Sequence, residues 1–146
     1  IGAKLAKPDV PVVGFAGDGD LQQTIQELAV AAETGAAVII ACLNNTGWIS
    51  IRDFQRGMFG EDRGVETEFR SRKGDQLMPV DFCAIAEAFN CGSEKVTETG
   101  DIGPAFERAM ASEGPCLIEF ELSSEPADSE GVNIGHWDLP KPAYLP

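Results

Sequence analysis

Apolar residues along this chain gather into short continuous runs, separated by stretches where they recur every three or four positions. The runs Pro11 to Ala16, Ala37 to Leu43 and Cys116 to Leu122 have the length and composition of buried strands, and Glu94 to Val96 predicts a short fourth. Leu21, Ile25, Leu28, Ala29 and Ala32 follow helical spacing, which predicts one amphipathic helix over Leu21 to Thr34. Asp20 stands where its N-cap would fall, with Gln23 three residues later to complete a capping box. Ile1 to Leu5 reads as the last turns of a helix with no cap in front. Trp48 to Phe54 predicts a further helix. Strands alternating with helices predict an α/β fold.

Two loops close the first two strands, Gly17-Asp18-Gly19 and Asn44-Asn45-Thr46-Gly47, with Asp18 and Asn45 27 positions apart. In a strand–helix–strand unit the strands run parallel, and both loops emerge at the carboxyl edge, where open α/β sheets bind ligands. A carboxylate (Asp18), an amide oxygen (Asn45) and a main-chain carbonyl (Gly47) can meet there. Those are hard oxygen ligands suited to magnesium or calcium, and magnesium commonly keeps phosphate oxygens in its remaining positions. A helix opening at the same loop turns unpaired N–H groups toward such phosphates. Either loop alone is also an ordinary turn sequence. Together, at strand ends, they read as a metal–diphosphate site.

The pair resembles the motif of thiamine diphosphate (ThDP) enzymes, Gly-Asp-Gly followed some two dozen residues later by Asn-Asn. The similarity continues through Ile1-Gly2-Ala3-Lys4-Leu5-Ala6, Pro79-Val80-Asp81-Phe82, Ile85-Ala86-Glu87-Ala88-Phe89 and Gly114-Pro115-Cys116-Leu117-Ile118-Glu119. Residues 1–122 thus resemble the C-terminal part of a pyrophosphate-binding domain of the acetolactate synthase-like group, and 123–146 form a C-terminal tail. The resemblance implies a three-layer α/β/α ThDP-binding fold with a mostly parallel sheet. The family's sheet has six strands, so the four read here imply truncation at the N-terminus. It places the upstream strands, the glycine-rich cofactor segment and the pyrimidine-binding domain with its activating glutamate outside this chain. It assigns magnesium to Asp18, Asn45 and the Gly47 carbonyl. ThDP falls to Gly17, Asp18, Gly19, Asp20, Asn45, Gly47 and Trp48. Asp20 departs from the small residue usual there, and a second carboxylate beside a diphosphate is tolerated best pointing away, as a cap.

The implied activity is a carboligase or lyase reaction on a 2-oxo acid, with another ThDP reaction or a non-catalytic diphosphate-binding module as alternatives. The intact enzyme would be a homodimer or homotetramer, and the fragment alone inactive. Trp48, Ile51 and Phe54 would shape the substrate pocket, although plain core packing explains them equally well. Related simple decarboxylases carry a proton-transferring glutamate six places after the metal-binding Asn, where this chain has Ile51; isoleucine cannot move a proton. Ser50 replaces the methionine usual in acetolactate synthase-like enzymes. No catalytic side chain is assigned within the chain itself.

The formal net charge is −13, from 24 acidic against 11 basic residues. That field disfavours nucleic acid and anionic membranes, and it makes a metal necessary if a diphosphate is to bind. No apolar run approaches a membrane span. Cys42, Cys83, Cys91 and Cys116 lack zinc spacing and read as reduced, buried thiols of a cytoplasmic protein. Gly60 to Asp75 reads as a solvated, mobile loop, whose Arg63, Arg70 and Arg72 can meet an anionic substrate. His136, the single histidine, lies in the tail and reads as an interface or surface residue, with acid–base work as the alternative. Glu33, Glu87 and Glu107 read as solvated helix faces.

Overall fold

A computed structural model of the chain describes residues 1–60 and 67–124. Strand β1 (Val13–Gly17), β2 (Ile39–Asn44), β3 (Gly92–Val96) and β4 (Cys116–Glu121) form one sheet in the order β1-β2-β4-β3, parallel throughout. All four strands therefore end at the same edge. Helices α1 (Gly2–Ala6), α2 (Asp18–Thr24), α3 (Glu27–Thr34), α4 (Ile49–Phe59), α5 (Phe82–Ala88) and α6 (Ile102–Met110) fill the connections, with a 3-10 turn at Thr99–Asp101 leading into α6. The expected four parallel strands and the α/β layering are present.

Strand alternation divides the core in two. Ile39, Ala41, Cys116, Ile118 and Phe120 turn to one face and pack with Ala105, Phe106 and Ala109 of α6. Cys42 and Leu117 turn to the other, with Leu21 of α2, Leu28 of α3 and Phe82 and Ala86 of α5. Phe82 and Leu117 are fully buried, each contributing about 1.5–3 kcal/mol on full burial. On β1, Phe15, in register with Ala41, stays 69% exposed. Among the described residues no helix is long and apolar enough to cross a membrane.

The predicted helix over Leu21 to Thr34 differs in two ways. It starts three residues earlier, at Asp18, because Gly17 is still extended (φ −68°, ψ 159°) and helical geometry begins with the next residue. Asp20 is then inside the first turn, not the N-cap, and no side chain caps this end. The helix is also interrupted at Ile25 and Gln26, where Leu28 and Ala29 donate to carbonyls three residues back (3.1 Å each). That tightened turn separates α2 from α3. Gly35 closes α3 in the left-handed region (φ 64°), its N–H returned to Ala31 and Ala32.

The stretch expected to be a mobile loop is, in its described half, docked. Thr67 accepts from Trp48 N–H (2.7 Å), Phe69 N–H donates to Thr46 (2.9 Å), and Arg70 pairs with Leu77 across an antiparallel bridge. Backbone pairing and a buried arginine outweigh the polar composition here. Arg52, only 3% exposed, holds Glu68 (2.7 Å), Asp53 (2.9 Å) and the Ser124 carbonyl (2.6 Å). Arg63 and His136 lie outside the described residues, as does the tail from 125 onward.

Candidate functional site

The two motif loops meet at the carboxyl edge through one buried carboxylate. Asp18, 1% exposed, ends the β1 connection as the first residue of α2. Its Oδ1 accepts from Gly19 N–H (2.9 Å) and its Oδ2 from Gly47 N–H (2.8 Å), which ties the first loop to the second. Burial pushes its pKa up, while N–H groups from Gly47, Gly19 and Thr46 pull the other way.

Asn45 completes the cluster. One arm of its side-chain amide lies 3.2 Å from Asp18 Oδ1 and 3.0 Å from the Gly47 carbonyl oxygen. With the amide nitrogen in that position, it donates to both oxygens. With the amide oxygen there, three acceptors face one another, an arrangement only a cation makes favourable. Both separations are close to the edge of a magnesium octahedron, about 2.9 Å for ligands at about 2.0–2.1 Å. The donor set of carboxylate, amide and carbonyl fits magnesium.

Two glycines are required by close approach. A Cβ on Gly19 would sit 2.8 Å from the Trp48 indole, so the ring lies flat against the Gly-Asp-Gly backbone. A Cβ on Gly47 (φ 159°) would sit 2.6 Å from Thr67 O and 2.8 Å from Glu68 Cα. Thr46 between them has φ 61°, a backbone region that β-branched residues rarely enter.

The loop is held from a second side. Asn44, 4% exposed, accepts from Thr46 N–H (3.2 Å) and donates to the Val80 carbonyl (3.1 Å) and to Glu119 Oε1 (2.9 Å). Glu119 is fully buried in β4, and its Oε2 accepts from Phe82 and Cys83 N–H (3.1 and 3.3 Å) at the start of α5. Lys95 Nζ lies 3.2 Å from Glu119 Oε1. Asp81 caps the same helix end by accepting from Ala84 N–H (2.9 Å).

Of the predicted site residues, Gly17, Asp18, Gly19, Asn45, Gly47 and Trp48 are brought together. Asp20 is exposed, its carboxylate lying back toward Gly17. On α4, Ile49 and Arg52 take the buried side, Phe54 is half-buried and Ile51 is 44% exposed, so core packing does not explain Ile51. Glu33, Glu87 and Glu107 are exposed, as expected. All four cysteines are free, with Cys42, Cys91 and Cys116 buried and Cys83 half-buried. Burial, above all, pushes the Cys42 thiol up to about 12 and the Cys83 thiol up to about 11. The Asn44–Glu119 link was missed. Its signal was a charged residue inside the apolar run Cys116-Leu117-Ile118-Glu119-Phe120, since a carboxylate in a buried strand needs partners.

Comparison with known proteins gives the family of the chain. The family described as "Thiamine pyrophosphate enzyme, C-terminal TPP binding domain" matches residues 1–120. The chain belongs to that family, within the acetolactate synthase-like group. It is 35% identical over 126 residues to the acetolactate synthase large subunit of Corynebacterium glutamicum, covering 86% of this chain and 20% of that protein. To the mitochondrial acetolactate synthase catalytic subunit of Saccharomyces cerevisiae it is 30% identical, over 86% of this chain and 17% of the relative. Among solved structures, the thiamine diphosphate-dependent 4-hydroxybenzoylformate decarboxylase of Rhodococcus jostii RHA1 superposes with a TM-score of 0.73 at 29% identity, covering 87% of this chain and 22% of that one. The chain spans about a fifth of the length of these proteins.

Proposed function

We propose that this domain anchors the diphosphate of ThDP through a magnesium ion held by Asp18, Asn45 and the Gly47 carbonyl. The protein carrying it would be a carboligase or lyase acting on a 2-oxo acid. The observation that carries the reading is the meeting of three oxygen-bearing groups, with Asp18 Oδ1 and Gly47 O at 3.2 and 3.0 Å from one arm of Asn45. Three such ligands leave half an octahedron for phosphate oxygens and water. The metal also offsets repulsion between a diphosphate and a chain of net charge −13.

Asp18 supplies the negative charge, and its N–H partners fix the direction of its lone pairs. Asn45 and Gly47 supply neutral oxygens from a loop whose backbone both Asp18 and Asn44 hold. Trp48 packs on Gly19 and keeps the two loops at one spacing. ThDP, when bound, supplies an electron sink for the carbanion left when a 2-oxo acid loses carbon dioxide. Ile51 offers no proton at the position where a decarboxylase would carry glutamate, which favours attack on a second carbonyl over protonation. In this reading the domain works in a homodimer or homotetramer in the cytoplasm, with neither nucleic acid nor membrane as partner. The uncovered Val13 and Phe15 support further protein packing on that face.

A second reading, decarboxylation alone, is favoured by the likeness to the Rhodococcus enzyme. Product analysis separates the two. The intact protein, supplied with ThDP, magnesium and pyruvate, is expected to yield acetolactate. Acetaldehyde as the sole product would establish the second reading, and no turnover of any 2-oxo acid would overturn both.

A further inference from the structure

The loop that delivers Asn45 and the Gly47 carbonyl is short, and its central residue, Thr46, sits at φ 61°. Such a backbone persists only where its surroundings determine it. Two buried carboxylates do so from opposite sides. Asp18 takes the Gly47 N–H directly, at 2.8 Å. Glu119 acts one step removed: its Oε1 takes the Asn44 Nδ2 proton at 2.9 Å, and Asn44 Oδ1 takes the Thr46 N–H at 3.2 Å.

We infer that Glu119 is a positioning residue for the magnesium loop, acting through Asn44, the first asparagine of the motif. This rests on the proposed function above. The second asparagine, Asn45, offers its oxygen to the metal; the first gives its amide proton to Glu119, which fixes which way its carbonyl points. Were the Asn44 amide reversed, its nitrogen would face the Thr46 N–H and its oxygen would face Val80 O and Glu119 Oε1, so no contact would survive. Glu119 can set that orientation because it is acceptor-only and rigid. It is fully buried on β4, with Lys95 and the Phe82 and Cys83 N–H groups holding its other lone pairs. The same side chain therefore joins three elements of the carboxyl edge: the end of β2, β4 and the start of α5.

Glutamine is nearly isosteric but brings an NH2 group where the four polar partners, Asn44 Nδ2, Lys95 Nζ and the Phe82 and Cys83 N–H groups, are all donors. Glu119→Gln thus attacks the orientation of Asn44 without opening a cavity. The test is Mn2+ binding, with ThDP present, followed by electron paramagnetic resonance on the intact protein. Glu119→Gln and Asn44→Ala are each expected to weaken Mn2+ about tenfold or more, the range for groups that orient metal ligands. The double variant is expected to be no weaker than the worse single one, because both act through one contact. Asn44→Ala leaves the Glu119 contacts with α5 and Lys95 intact, so if Glu119→Gln fails to fold, wild-type Mn2+ binding by Asn44→Ala still overturns the inference. Variants that fold and bind Mn2+ within about twofold of wild type would overturn the inference and leave the proposed function standing. So would losses that multiply in the double variant. A wild-type protein that binds no Mn2+ with ThDP would overturn both.

Discussion

Gly47→Ala isolates the contact between the Asn45–Gly47 loop and the segment that follows α4. The new Cβ would lie 2.6 Å from Thr67 O and 2.8 Å from Glu68 Cα, both backbone atoms that no rotamer change can remove. Restoring an ordinary separation of about 3.5 Å requires a shift of about 0.9 Å. Applied to Thr67, that shift would stretch its 2.7 Å bond from Trp48 N–H to about 3.6 Å, beyond hydrogen-bonding range. Overpacking of this kind costs about 1–3 kcal/mol, and one net backbone hydrogen bond about 0.5–1.5 kcal/mol. The two overlap, so the expected loss is about 2–3 kcal/mol. Gly103→Ala serves as control: its Cβ meets nothing within 4 Å, and alanine in a helix gains up to about 1 kcal/mol over glycine. Urea unfolding should therefore move in opposite directions for the two variants. Hydrogen exchange at the Trp48 amide should quicken in Gly47→Ala alone. A Gly47→Ala protein within about 0.5 kcal/mol of wild type, with Trp48 still protected, would refute the close packing of this loop.

Other outcomes follow from the same geometry. Gly19→Ala drives a methyl to 2.8 Å from the Trp48 indole; because the ring can tilt, the loss should be smaller, about 1–2 kcal/mol, with a red shift in tryptophan fluorescence. Cys83, its thiol raised from 9.0 to about 11, should alkylate about a hundredfold more slowly at about pH 8 than an unperturbed thiol. Equal rates by mass spectrometry would contradict its environment. Arg108 holds Glu94 below the ordinary carboxyl value of 4.5. Its contribution to stability is therefore complete above that value and fades as pH falls through the lowered one. Thermal melts of Glu94→Gln should trail wild type at about pH 6, and the gap should narrow as pH falls below the ordinary value of 4.5. A gap that widens in acid would reverse the assignment.

The architecture was legible because parallel strands buried on both faces leave long apolar runs, as in Val38-Ile39-Ile40-Ala41-Cys42. The meeting of the two loops was legible because each closes one strand of a parallel pair, which brings Asp18 to Gly47 at the carboxyl edge. What escaped depended on long-range contacts. The start of α2 is set by the extended Gly17 and by Asp18 reaching across to Gly47, so local capping rules chose Asp20 wrongly. The segment around Thr67 to Met78 has no apolar period, and only backbone pairing with Thr46 and Trp48 and the ion pairs of Arg52 order it. Glu119 lies 75 residues from Asn44, a separation no local pattern reveals.

The central claim is that Asp18, Asn45 and Gly47 bind a metal that in turn binds a diphosphate. Calorimetric titration of ThDP into the intact protein, with and without magnesium and in wild type and Asp18→Ala, tests it most directly. Binding that requires magnesium and disappears in a folded Asp18→Ala protein is the predicted result. Binding that is indifferent to magnesium, or that survives loss of the Asp18 carboxylate, would contradict it.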